Sequence, residues 1–196
     1  MSLTGGSVSR LLAAFRSSDP TPGGGSASAL AGAVGASLLA MVAGLAKPRT
    51  ASDDELARLE AAGARCAELA LRLETMIDQD TAAYDLVVDA YRLPKSTDDE
   101  KAVRRARIQK ALEAATEAPL DVMRLCAEGL TLAPAVGRLG NQNASSDVIV
   151  AVGMLRTGLS GARENVEINL ESLKDADYVA RVRNESTQLA ASIDIR

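Results

Sequence analysis

The chain has 196 residues, the size of one domain, with 47% hydrophobic residues but only 2% aromatic and no Trp. Its apolar content is therefore mostly Ala, Leu and Val, which suits closely packed helices. A net charge of -4 excludes the dominant basic face of a nucleic-acid-binding module, and the absence of His excludes Ser-His and Cys-His nucleophile pairs and the usual zinc sites.

In chain order, Ser7 to about Ser18 reads as a short amphipathic helix with Val8, Leu11, Leu12 and Phe15 inward. The run Pro22-Gly23-Gly24-Gly25 breaks the chain, and a second helix is predicted from about Ser26 to Leu45. No charge occurs from Pro20 to Ala46. Small residues at Ser28, Gly32, Ala36, Ala40 and Gly44 recur every four positions, so a neighbouring backbone can approach closely. So many Ala, Gly and Ser make a weak bilayer span, and this helix is expected at the centre of a soluble bundle with no membrane partner. Lys47 and Pro48 are expected to end it.

Ser52 and Glu55 form a capping box that opens a third helix, Asp53 to about Arg92. Its inward stripe is Leu56, Leu59, Gly63, Cys66, Ala70, Leu73, Ile77, Asp80, Tyr84, Val87 and Tyr91. Pro94 stops it. Thr97 with Glu100 caps a fourth helix to about Ala118, and Pro119 is expected to kink or restart the chain before a fifth helix to about Arg138. Gly140 to Ser145 reads as a polar loop, with Ser145 or Ser146 capping a helix to about Leu173. A last helix runs from Asp177 to about Ile193. The fold class is all-α: an antiparallel helical bundle with one buried small-residue-rich helix and one long helix, in a single domain over residues 1–196. Cys66 and Cys126 lack a CxxC neighbour and read as reduced, buried thiols of a cytoplasmic protein.

Four places offer chemistry. A glycine-rich run ahead of a helix, here Pro22, Gly23, Gly24, Gly25 and Ser26, can aim free N–H groups at an anion or carbonyl, or simply start a helix. It lacks the Gly-Lys-Ser/Thr of a phosphate-binding loop. Asp80 places a carboxylate where the stripe calls for an apolar residue, so it has either a cationic partner on another helix or a chemical task. The segment Gly140-Asn141-Gln142-Asn143-Ala144-Ser145-Ser146-Asp147 clusters amides and a carboxylate that can read a heterocycle edge or cap helices. Lys95, Lys101, Arg104, Arg105, Arg107 and Lys110 form a basic run, either a solvated face or an attractor for an acidic tail.

Taken in order, these segments resemble one family. Pro22-Gly-Gly-Gly-Ser-Ala-Ser-Ala-Leu-Ala-Gly-Ala through Met41-Val42 is similar to the opening motif of the formiminotransferase-cyclodeaminase family. It is followed by Asp80 and Tyr84, then Ala90-Tyr91-x-Leu-Pro-Lys95, then Glu100-Lys101-x-x-Arg104. Pro119-Leu120, Gly140-Asn141-x-Asn143-x-x-Ser146-Asp147-Val148 and Gly161-Ala162-x-x-Asn165-Val166-x-Ile168-Asn169-Leu170 complete the set, over about residues 7 to 175. Gln142 and Ala144-Ser145 are mild departures.

The resemblance implies a tetrahydrofolate enzyme, usually dimeric, so a homodimer is expected. Stand-alone members of this size are similar to bacterial methenyltetrahydrofolate cyclohydrolases, with formiminotetrahydrofolate cyclodeaminase or a non-catalytic folate binder as alternatives. On this reading all four places line one site, with no metal and no cofactor beyond the folate. Asp80 is the proton shuttle, or exchanges that role with Asp147, and Lys95 orients water or steadies negative charge. Asn141 and Asp147 hold the pterin edge, and the loop at Gly23 to Ser26, with Pro22 before it in the binding set, meets the pterin carbonyl or the glutamate. Tyr84, Arg104, Asn143 and Ser146 complete the binding set.

Overall fold

The computed structural model describes residues 2–45 and 51–191. It contains α1 (Val8–Phe15), α2 (Gly24–Gly44), α3 (Asp53–Arg92), α4 (Asp98–Leu139), a 3-10 turn (Gln142–Ala144), α5 (Ser145–Leu170) and α6 (Ala176–Ala191). Among the described residues there is no strand, so the fold is the all-α bundle expected. Lys47 and Pro48, expected to end the second helix, lie outside the described residues, as does Ile193 at the expected end of the last.

Four helices, α2 to α5, form an antiparallel core, and α2 sits inside it. Small residues set the spacing. A Cβ added to Gly32 would lie 2.6 Å from Cys126 Sγ, and one added to Gly158 would lie 2.7 Å from the Ser28 carbonyl oxygen. Nothing larger than glycine fits at either position while the helices keep this distance. The neighbours Ala43 with Gly63, Leu73 with Gly32 and Asp80 with Gly25 show α2 and α3 running in opposite directions. The core fills with Leu39, Leu59, Leu69, Leu73, Ile77, Leu120, Met123, Leu155 and Leu159, all fully buried. Cys66 and Cys126 are free and buried. Burial holds both thiols protonated, pushing Cys66 up to about 11 and Cys126 up to about 12.

Both capping boxes form as the sequence indicates, at Ser52 with Glu55 and at Thr97 with Glu100. The break at Pro119 does not occur: α4 is continuous from Asp98 to Leu139 with Pro119 and Pro134 inside it. Proline at 119 removes the N–H that would bond the Ala115 carbonyl. Asn169 of α5 replaces that donor, its Nδ2 lying 2.8 Å from the Ala115 oxygen. With the orphaned carbonyl satisfied and Pro119 itself buried, the helix runs on through the restriction.

Two inward faces are narrower than the periodicity predicts. On α1 only Leu11 is buried, and Val8 (73% exposed) and Leu12 (46%) face outward, because the helix lies at the edge of the bundle. On α3 the inward face holds from Leu59 to Ile77, but Tyr84 and Tyr91 are exposed. The reason is length. α2 begins abreast of Asp80, and α3 continues to Arg92, about 18 Å further at 1.5 Å per residue. There it pairs mainly with the first half of α4, through a small core of Ala90, Ile108, Ala111 and Leu112 with Val87, and Leu173 from beyond α5 packs against it. The result is a two-helix prong projecting past the start of α2.

Candidate active site at the start of the buried helix

The first turn of α2 has N–H groups with no partner inside the helix. Its N-cap is Gly23, which has no side chain and makes no capping bond. The helix therefore starts at Gly24, two residues earlier than the sequence suggested. Asp80 of α3 supplies the missing cap from outside. Its Oδ2 accepts from Ser26 Oγ at 2.9 Å, and the Ser26 backbone N–H, on the third residue of the helix, also bonds the carboxyl. This is the job of an N-cap Asp or Ser, done by a residue far away in sequence.

Close approach is possible only because residue 25 is glycine. A Cβ there would run into the Asp80 carboxyl. Burial pushes the Asp80 carboxyl above its ordinary range, and the two Ser26 hydrogen bonds hold it back only in part. Among the described residues no cation contributes to that balance, so none of them is the cationic partner that the sequence left open for Asp80. The carboxyl is partly open to solvent, within reach of a reactant.

The sequence candidates separate into two groups. Pro22, Gly23, Gly24, Gly25 and Ser26 lie at this end with Asp80. Gly25 and Ser26 are buried, so Ser26 faces Asp80 and not the solvent. Tyr84 stands one turn beyond Asp80 on α3, 40% exposed. Further along the prong Arg104 stacks on Tyr91 (5.5 Å to the ring centroid), and its Nη2 donates to the Tyr91 carbonyl at 3.0 Å. Lys95 is exposed in the loop at the prong's tip, some 20 Å along the axis from Asp80.

Asn141, Asn143, Ser146 and Asp147 lie at the opposite end of the bundle. Gly140 abuts Val42, near the far end of α2, so about 27 Å of helix separates this group from Gly24. Asn141 Oδ1 accepts from the Asn143 N–H at 2.9 Å and caps the 3-10 turn. Gln142 Nε2 lies 3.2 Å from the Gly137 carbonyl and closes the end of α4. The residue before α5 is Ala144, so neither Ser145 nor Ser146 caps that helix. Asp147 sits in the first turn of α5, half-buried. Within one chain these residues do not meet Asp80.

A family model described as formiminotransferase-cyclodeaminase matches residues 7–188. A methenyltetrahydrofolate cyclohydrolase of Methylorubrum extorquens is 40% identical over 94% of this chain and 88% of its own length. The chain belongs to the formiminotransferase-cyclodeaminase family. The pig formimidoyltransferase-cyclodeaminase is 33% identical over 86% of this chain, which spans only 31% of that longer protein. The crystal structure of a formiminotetrahydrofolate cyclodeaminase from Thermotoga maritima superposes with a TM-score of 0.84 at 26% identity, covering 96% of this chain and 90% of that one.

The family match takes in both ends of the bundle. It also covers residues near the start of α2 that the sequence does not mark as part of the site. Asn165 is one: its Nδ2 lies 3.4 Å from where a Gly24 Cβ would stand, and it donates to the Gly161 carbonyl at 2.8 Å. Thr81, with Oγ1 3.4 Å from Ser26 Oγ, is another residue of this neighbourhood. An amide four residues before the clamp at Asn169 was the available signal for Asn165, and nothing local pointed to Thr81.

Proposed function

We propose that this chain is a methenyltetrahydrofolate cyclohydrolase, hydrolysing 5,10-methenyltetrahydrofolate to 10-formyltetrahydrofolate in one-carbon metabolism. The observation that carries the reading is the Asp80 carboxyl, half-buried against the start of α2, with no cation among the described residues shifting it, and pushed upward in pKa. A carboxyl raised in this way holds a proton more readily than an ordinary carboxylate, as a group that takes and returns one must. The 40% identity to the Methylorubrum cyclohydrolase supports this substrate over others.

The methenyl carbon is already a cationic electrophile held between N5 and N10. Water adds to it while Asp80 removes one of the water's protons, leaving a neutral tetrahedral adduct. Asp80 then delivers that proton to N5, and the C–N5 bond breaks. The remaining hydroxyl proton leaves to solvent and the formyl group stays on N10. Orientation and one proton relay are what the protein must supply. Tyr84 and Tyr91 offer flat exposed faces along the prong, and the basic residues beyond them favour the anionic glutamate end. No step requires a metal, and exhaustive chelation should leave turnover unchanged.

Asn141, Asp147 and Lys95 stand too far from Asp80 to act with it in one chain, so we propose an antiparallel homodimer in which they serve the partner's site. Exposed Tyr84, Leu86, Tyr91 and Val103 on the prong, and Ile149 and Val150 beside Asp147, give such a pair apolar surface to cover. Mixing inactive Asp80→Asn and Asp147→Asn subunits should restore about a quarter of parental activity, since half the dimers are mixed and each carries one intact site. Failure of inactive subunits to complement after exchange would count against a shared site.

The likeness to the Thermotoga cyclodeaminase supports a second reaction, in which N10 attacks the formimino carbon and ammonia leaves. The deciding assay follows the methenyltetrahydrofolate absorbance with purified protein, beside the same protein with formiminotetrahydrofolate. Loss of the methenyl band faster than buffer supports the cyclohydrolase. Its appearance from the formimino compound supports the cyclodeaminase.

A further inference from the structure

Ser26 is fully buried, so its hydroxyl meets no ligand. It has one proton to donate and two strong acceptors within reach: Asp80 Oδ2 at 2.9 Å and the Ile77 carbonyl oxygen at 3.0 Å. Thr81 Oγ1 stands at 3.4 Å on the same side. The Ile77 carbonyl already receives the α-helical N–H of Thr81, but a carbonyl has a second lone pair. Ser26 can therefore bond either acceptor without depriving α3 of a helical hydrogen bond.

The geometry points to a positioning role, and we propose that the Ser26 hydroxyl turns between the Asp80 carboxyl and the Ile77 carbonyl as Asp80 gives up and regains its proton. The inference rests on the reading of Asp80 as the proton carrier. While Asp80 is a carboxylate, Ser26 donates to Oδ2. When Asp80 carries the proton, its O–H donates to Ser26 Oγ and the serine proton turns to Ile77. Every buried polar hydrogen then has an acceptor in both states, which matters because an unsatisfied buried group is costly. Among the described residues no buried side-chain nitrogen or oxygen lacks a partner.

The surroundings leave Ser26 the principal group able to do this. From Gly24 to Gly44, α2 has no ionisable side chain. On α5 the residue beside Gly24 is Asn165, and on α3 the next ionisable group along the Asp80 face is Tyr84. Asp78 is turned away, accepting from the Leu3 N–H and the Ser2 and Thr4 hydroxyls.

The test is Ser26→Ala, which keeps the helix start and the Gly25 contact but removes the rotor. Turnover should fall about tenfold or more, the size expected for a lost hydrogen bond to a charged group, with KM little changed. Losing a donor to the carboxylate favours the protonated acid, so the limb of the pH profile governed by Asp80 should move to higher pH. Ser26→Thr, which keeps the hydroxyl, should restore the parental profile. Ser26→Cys, with a weak donor of similar size, should behave like Ser26→Ala and carries the test should the alanine variant not fold. Asp80→Asn is measured beside them. Loss of turnover in Asp80→Asn together with a parental pH profile in Ser26→Ala or Ser26→Cys would overturn the role of Ser26 and leave Asp80 standing. Parental turnover in Asp80→Asn would instead overturn the reading of the site itself.

Discussion

Replacing Gly25 with alanine should disable the protein without unfolding it. An added Cβ would stand 2.6 Å from Asp80 Cγ and 2.7 Å from Oδ2, with Oδ1 nearer still. Carbon atoms in contact normally sit about 3.5 to 4.0 Å apart, so the carboxyl must retreat by about 1 Å. Both hydrogen bonds from Ser26 lengthen with it, and the carboxyl leaves the position from which it would meet water and N5. A displacement of that size in a reacting group costs about 100-fold in rate. Crowding a packed site costs about 1 to 3 kcal/mol, partly offset by the helix preference of alanine over glycine, about 1 kcal/mol at most at a helix start. Urea unfolding should therefore show a loss of about 1 to 2 kcal/mol while the methenyl absorbance shows almost no turnover. Gly24→Ala is the control for stability alone, because its Cβ would meet Asn165 Nδ2 at 3.4 Å, an ordinary contact. A Gly25→Ala protein with parental rate and stability would show that the carboxyl does not press against this turn.

Asp80→Asn should leave the fold as stable as the parent or more so, depending on pH. Burial raises the Asp80 pKa in the folded state, so its contribution is fully present below the ordinary carboxylate value and is lost as pH rises through the raised one. The stability difference in favour of Asn should therefore grow with pH across that window in parallel urea titrations, and a constant difference would contradict it. Asn169→Ala should cost about 1 to 3 kcal/mol by thermal or urea unfolding, because the Ala115 carbonyl opposite Pro119 loses its only replacement donor; an unchanged midpoint would refute the clamp. Cys66 and Cys126, buried and held well above neutral pH as thiols, should resist a thiol reagent at pH 7 and both react after denaturation. Fast labelling of the native protein would contradict the packing around α2.

Local signals carried far in this chain, and long-range ones did not. Ser52 with Glu55 and Thr97 with Glu100 mark helix starts by residues three apart, and both appear as drawn. Asp80 stood out because a carboxylate interrupts an apolar period. By contrast, the local pattern puts the start of α2 two residues late, because its cap comes from Asp80, 54 residues away in sequence. Pro119 predicts a break that does not occur, because the donor that rescues the helix is Asn169, also 54 residues away. Tyr84 and Tyr91 keep the period of a buried face, but the helix that would cover them has already begun. The polar segment around Asn141 and Asp147 follows the other motifs in sequence, yet the length of α2 carries it to the other end.

Turnover of methenyltetrahydrofolate by Asp80→Asn is the most direct measurement of the account. The substitution keeps the shape and most of the hydrogen bonding of the carboxyl while removing its titratable proton. The account predicts a folded protein that still binds the folate, with a melting temperature at or above the parent's and turnover reduced about 100-fold or more, the usual contribution of a general acid-base group. A folded variant that clears the methenyl band at the parental rate would contradict it and move the proton relay to Asp147 or Lys95.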